Sequence, residues 1–233
     1  MGLPVTTPGS RSRTPAGGTR GVGIRRLAIL GLAMVLAGPS ASAPDPRPLA
    51  VDHAASSVVA VTGIAGLLSF LGHRHAILAT EWAADLVYDP DTPDRSHLEL
   101  GVPVHALRID SRPAIEQAGL DARPDDETVR ELQAKMLGPG MLDAGRFPVI
   151  RFESRSVERA PDGGLLVRGT LALHGRTTDH AVPVTVERRA DGAYRFRGQL
   201  SVKQSDHGIE PESVAAVVKV ADAVTIRFDV VAR

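Results

Sequence analysis

In five separate stretches of this chain every second residue is apolar, and most of the residues between are polar. Successive side chains of a β-strand point to opposite faces, so this spacing gives each strand one apolar face and one wet face. Over 97–109 the apolar set is Leu98, Leu100, Val102 and Val104. Over 164–174 it is Leu165, Val167, Leu171 and Leu173, opposite Arg168, Thr170 and His174. Val182, Val184 and Val186 alternate over 181–188, and Tyr194, Phe196, Leu200 and Val202 over 193–202. Val224, Ile226, Phe228 and Val230 complete the pattern over 224–230. Weaker strands are expected at 57–64, 76–88, 149–157 and 215–220. Asp89-Pro90-Asp91, Pro161-Asp162-Gly163-Gly164, His174-Gly175 and Ala190-Asp191-Gly192 supply the turns between runs. About eight strands with one apolar face each need a cover for that face; closing the sheet into a barrel provides it and removes the edges.

One interruption is helical. Asp125 and Asp126 stand where a helix N-terminus favours acids, Val129, Leu132, Met136 and Leu137 follow at helical spacing, and Gly138 stops the run. A shorter helix is expected over 113–118, begun by Ser111 and ended by Gly119. This excursion either lies across a barrel mouth as a lid or packs on the outside.

The first 43 residues read as an export signal. Arg11, Arg13, Arg20, Arg25 and Arg26 precede an apolar run, 27–37, and then Ser40-Ala41-Ser42-Ala43, with cleavage expected after Ala43. The run is short for a membrane span. Arg25-Arg26 raises a twin-arginine route, although its neighbours match that pattern poorly. Residues 44–50, with Pro44, Pro46 and Pro48, read as an extended linker, and 51–233 as one domain. The charges, 27 basic and 27 acidic over the whole chain, then separate. Five of the 27 basic residues leave with the leader, so 22 face 27 acids in the mature domain, about −5. This argues against a nucleic-acid partner and against docking on anionic headgroups. Cysteine is absent, which excludes disulfides, thiolate catalysis and Cys-ligated metals. No phosphate loop, nucleophile elbow, zincin helix or EF-hand loop is present.

Histidines are the remaining chemistry. In Gly72-His73-Arg74-His75 the two rings would share one face of a strand and could meet one metal, with a third ligand from His105, His174 or His207. Against this stands an ordinary structural or surface role. Asp85, Asp89, Asp91 and Asp94 read as a solvated turn.

Four segments resemble the YceI-like family in order: Val51-Asp52-His53, Arg146–Ser154 with its Phe147-Pro148 and Phe152, Gly169–Thr177 with its His174-Gly175, and Ser205-Asp206-His207-Gly208-Ile209. The longer helical excursion and the Gly72–His75 wording mark a divergent member. The resemblance implies an extended, lipocalin-like antiparallel β-barrel in the periplasm or outside the cell, whose interior holds a polyisoprenoid-type lipid. It implies no enzyme activity and no further cofactor. The alternating apolar residues then become candidate lipid contacts: Leu98, Leu100, Val102, Phe152, Leu171, Leu173, Phe196, Leu200, Ile226 and Phe228. Two other readings stand beside this one, a metal enzyme or redox accessory built on His73 and His75, and a packed barrel without ligand. A homodimer is the default if the protein associates.

Overall fold

The computed structural model describes residues 46, 48–65, 74–211, 213–214 and 218–233; the expected leader, 1–43, and His73 lie outside them. Eleven strands form a single antiparallel sheet: β1 Ser57–Ala65, β2 Ala76–Ala79, β3 Ala83–Val87, β4 His97–Pro103, β5 Leu107–Ile109, β6 Val149–Arg159, β7 Leu165–Leu173, β8 Arg176–Arg188, β9 Tyr194–Lys203, β10 Ser213–Val214 and β11 Val218–Ala232. Their order is β3-β4-β6-β7-β8-β9-β11-β1-β2-β5, with β10 attached to β11. The expected all-β class, the antiparallel pairing and the helical insertion are therefore all present.

The two ends of that path are joined through the chain itself. β2 runs into β3 across 80–82, and β4 runs into β5 through a 3-10 turn, Val104–Ala106. Val87 faces His97 and Ala83 faces Gly101; beyond the break Ala79 faces Leu107 and Ile77 faces Ile109. This is one long hairpin with a matched interruption in both strands. The Thr80 N–H and hydroxyl both donate to the Ala106 carbonyl, at 3.0 and 2.7 Å, and hold the break together. Counted this way the ring has eight members: β1, β2–β3, β4–β5, β6, β7, β8, β9 and β11.

The break changes which residues point inward, because the side-chain period is two and an irregular step shifts it. Leu98, Leu100 and Val102 are the inward set of β4, but Leu107 and Ile109 are that of β5. Val104, which the alternation placed with the first set, instead sits in the turn, 1% exposed and packed beside Met136. β8 also begins earlier than its apolar pattern, at Arg176; this polar start is held by pairing with β7, Leu171 facing Thr178 and Leu173 facing Arg176.

The two helices divide the roles that the sequence left open. α1, Arg112–Ala118, is capped by the Ser111 hydroxyl and ended by Gly119 in the left-handed region (φ 66°). It lays Ala114 and Ala118 against Val59, Val61, Ala76 and Leu78, the outward residues of β1 and β2. α2, Asp126–Leu137, starts where the Asp125 carboxylate accepts from the Glu127 and Thr128 N–H groups. It packs Leu132 and Met136 against Val102, Leu107 and Ile109. Gln133 of α2 treats β5 as a further strand would: its amide accepts from Ile109 N–H at 2.9 Å and donates to Leu107 O at 2.8 Å. In the segment read as a linker, Pro48 bridges Val87 and the Ala50 N–H donates to the Arg233 carbonyl at 2.7 Å. Among the described residues no helix is long and apolar enough to cross a membrane.

Strand packing leaves no room for a side chain at Gly198. A Cβ there would stand 2.5 Å from the Phe228 ring and 2.6 Å from the Pro183 carbonyl, and the carbonyl belongs to the neighbouring strand. Gly198→Ala is therefore expected to destabilise the fold by about 1–3 kcal/mol, read as a lower urea midpoint; an unchanged midpoint contradicts this packing.

Candidate functional site

Inside the ring lies an apolar cavity of about 420 Å³. This falls within the range of pockets that hold a small organic ligand, roughly 300–1,000 Å³. All ten residues singled out from the alternation line it. β4 contributes Leu98, Leu100 and Val102, β6 contributes Phe152, and β7 contributes Leu171 and Leu173. β9 adds Phe196 and Leu200, and β11 adds Ile226 and Phe228. The wall is mainly aliphatic, with Trp82, Tyr88, Phe152, Phe196 and Phe228 as its aromatic members. Phe152, Leu171 and Phe196 are buried in the main core cluster, so the same side chains build the core and the cavity wall.

The alternation alone missed several lining residues. Leu132, Met136, Met141 and Leu142 come from α2 and the segment after it, so this part of the helical excursion does cover the cavity. Trp82, the one tryptophan of the chain, lines the cavity and stacks edge-on against His53 at 4.5 Å. Thr62 and Gln204 were legible in principle. Each occupies an inward position near the end of its strand, where an apolar residue would continue the run.

Polar lining groups gather toward the two ends of the strands. At one end are Thr62, His75 and Gln204; at the other are Tyr88, Ser96 and His97. The Tyr88 ring meets Tyr194 at 5.0 Å and Phe196 at 5.2 Å, both edge-on. Burial, and after it the neighbouring Tyr194, raises the Tyr88 hydroxyl above its ordinary pKa. On the outside, charge is paired across strands: Arg195 grips Asp229 with two bonds of 2.6 and 2.7 Å, and Arg197 meets Glu187 at 2.9 Å.

The described histidines do not assemble as metal ligands, and His73 lies outside the described residues. His75 donates its Nδ1–H to the Asp110 carboxylate at 2.6 Å, and His105 is exposed in the 3-10 turn. His174 and His207 belong to a separate network. The His207 ring, 0% exposed, bonds the Leu173 carbonyl through Nδ1 at 3.1 Å and the Thr178 hydroxyl through Nε2 at 3.1 Å. That hydroxyl also meets His180 Nε2 at 2.8 Å, and His174 Nδ1 bonds the His207 carbonyl at 3.0 Å. Among the described residues no group of three His, Cys, Asp or Glu side chains is placed to hold a metal. The acidic stretch is a hydrogen-bonded turn in which Asp89 accepts from the Asp91 and Thr92 N–H groups.

A family model described as YceI-like domain matches residues 49–232. A UPF0312 protein of Shewanella sp. strain W3-18-1 is 26% identical over 167 residues, 69% of this chain and 78% of the relative. A UPF0312 protein of Shewanella oneidensis strain MR-1 is 27% identical over 173 residues, 70% of this chain and 81% of the relative. Among solved structures, BcnA of Burkholderia cenocepacia aligns with a TM-score of 0.61 at 22% identity, covering 79% of this chain and all of that one. A polyisoprenoid-binding domain from Saccharophagus degradans, implicated in plant cell wall breakdown, aligns with a TM-score of 0.53 at 13% identity, covering 81% of this chain and 98% of that one. These two structural likenesses are likenesses of fold.

The His207 network predicts a pH dependence of stability. Burial, then the neighbouring His207, holds His180 below its ordinary value of 6.5. The unfolded chain therefore takes up that proton more readily than the folded one. The His180 contribution is fully present above about pH 6.5 and is lost as pH falls through the lower folded value. The urea midpoint should fall on acidification below that pH, and His180→Gln should flatten the slope. A slope unchanged in the variant assigns it to other groups.

Proposed function

This chain belongs to the YceI-like domain family, and from that premise we propose that it is an exported binding protein that holds a long-chain isoprenoid or similar amphipathic lipid inside its barrel. The observation that carries this reading is the apolar cavity of about 420 Å³. A hydrocarbon chain is favoured in such an apolar space, because each buried CH₂ contributes about 0.8 kcal/mol. The polyisoprenoid-binding domain of the same fold supports the choice of ligand class. The arginine-bearing leader and its Ser40-Ala41-Ser42-Ala43 site support export to the periplasm or beyond. The role is binding by burial, and no chemical step is assigned to the site.

Organic extraction of the purified protein, followed by mass spectrometry, is expected to release a long-chain lipid. The stripped protein should bind added geranylgeraniol with a change in Trp82 fluorescence. Leu200→Trp, which places an indole in the cavity, should weaken binding at least tenfold by calorimetry, since displacing two methylenes forfeits about 1.6 kcal/mol. If no lipid is extracted and none binds on addition, the reading fails.

A further inference from the structure

His75 is one of the few polar groups in a mainly apolar wall, and its surroundings fix how it is presented. Its partner Asp110 is 0% exposed and adopts a left-handed backbone conformation, φ 46°, without being glycine. Short polar side chains tolerate that region, and such outliers persist where the surroundings hold them. Here the surroundings do so at four points. The Asp110 N–H donates to the Ala76 carbonyl at 2.7 Å, and its own carbonyl accepts from Arg123 Nε at 2.6 Å. One carboxylate oxygen accepts from the Ala76 N–H at 2.9 Å, and the other takes the His75 ring at 2.6 Å. The His75 backbone N–H is held as well, by the Thr62 hydroxyl at 2.9 Å.

An ionised carboxylate only accepts, so His75 Nδ1 carries the proton of that bond. In the neutral ring Nε2 is then an acceptor. No described residue bonds Nε2; the His75 side chain is 20% exposed and forms part of the cavity wall. The remaining wall does not suit a multiply charged head group. Among the described residues it contains no arginine and a single lysine, Lys135, on α2.

Resting on the lipid-binding reading above, we propose that His75 Nε2, oriented by Asp110, accepts a hydrogen bond from a terminal hydroxyl of the bound lipid. The cavity thereby selects a long-chain alcohol over the same chain ending in an ether or a phosphate. His75 is the contacting group and Asp110 a positioning residue that sets its tautomer. Asp110→Asn reverses the pattern, since the Asn amide can still accept from Ala76 N–H while its NH₂ turns to His75 Nδ1. The ring proton then moves to Nε2, which becomes a donor.

The test titrates the stripped full-length mature protein with geranylgeraniol, its methyl ether and geranylgeranyl phosphate at one fixed pH, with melting curves to confirm folding. The wild type is expected to bind the alcohol about five- to tenfold tighter than the ether, the scale of one net hydrogen bond. His75→Phe should close that gap by weakening the alcohol, and Asp110→Asn should close it by strengthening the ether. An alcohol-to-ether ratio unchanged in His75→Phe, or tightest wild-type binding of the phosphate, overturns the proposal while leaving the cavity reading intact. Failure of all three probes to bind the wild type removes the cavity reading and the proposal with it. If Asp110→Asn does not fold, His75→Phe alone decides.

Discussion

An eight-membered ring of tilted strands encloses a space just wide enough to be filled by side chains or to hold one small ligand, and the residues sent inward decide between these. This chain sends mainly leucine, valine and isoleucine, with Trp82, Tyr88, Phe152, Phe196 and Phe228 as the large inward rings. The outward positions are occupied by charged pairs such as Arg195 with Asp229 and Arg197 with Glu187, which contribute little to stability at a surface. Stability, enclosure and ligand capacity therefore all depend on the same inward rows. Any change that fills the interior better also removes the cavity.

The rows are interrupted once, and that interruption positions the polar end. Without the shift at 80–82 and Val104–Ala106, Ile77 and Ile109 would point outward. The irregular step turns β2 and β5 so that Ile77, Ala79, Leu107 and Ile109 face the interior. It also brings Asp110, the residue after β5, beside His75, the residue before β2, at 2.6 Å. α2 then closes the exposed edge of β5 through Gln133 and places Met136 over the opening. One local defect in two strands thus couples the helical cover, the apolar wall and the buried carboxylate.

The fold was legible because its information is local: alternation, turns, and caps such as Ser111 and Asp125 all lie within a few residues of what they govern. The ten lining residues were legible for the same reason, since parity within a strand carries through to the interior. Three things were not. Val104 broke its own row because the matching irregularity lies at Thr80, in another strand. The first residues of β8 carry no apolar alternation and owe their conformation to β7. His75 was read beside His73 because they are close in sequence, whereas its partner, Asp110, is 35 residues away. Pairings across that distance leave no spacing signal, and an aspartate beyond a strand end reads as an ordinary turn residue.

The ring closes between β1 and β11, the first and last strands of the described domain; the Ser56 hydroxyl accepts from the Val231 N–H at 2.9 Å across 175 positions of chain. Such long-range pairing is slow to form, because loop-closure entropy must be met before the contacts reward it. A growing chain can form the β1–β2 pair and the hairpins of β6 to β9 while one edge of β1 is still unpaired, so the barrel remains open until β11 arrives. Until then the inward rows are exposed to solvent, and the incomplete protein presents its cavity-facing surface as a sticky, unpaired sheet. The domain's dependence on its last strand thus sets a time order in which the cavity is enclosed only once the polypeptide is complete through β11.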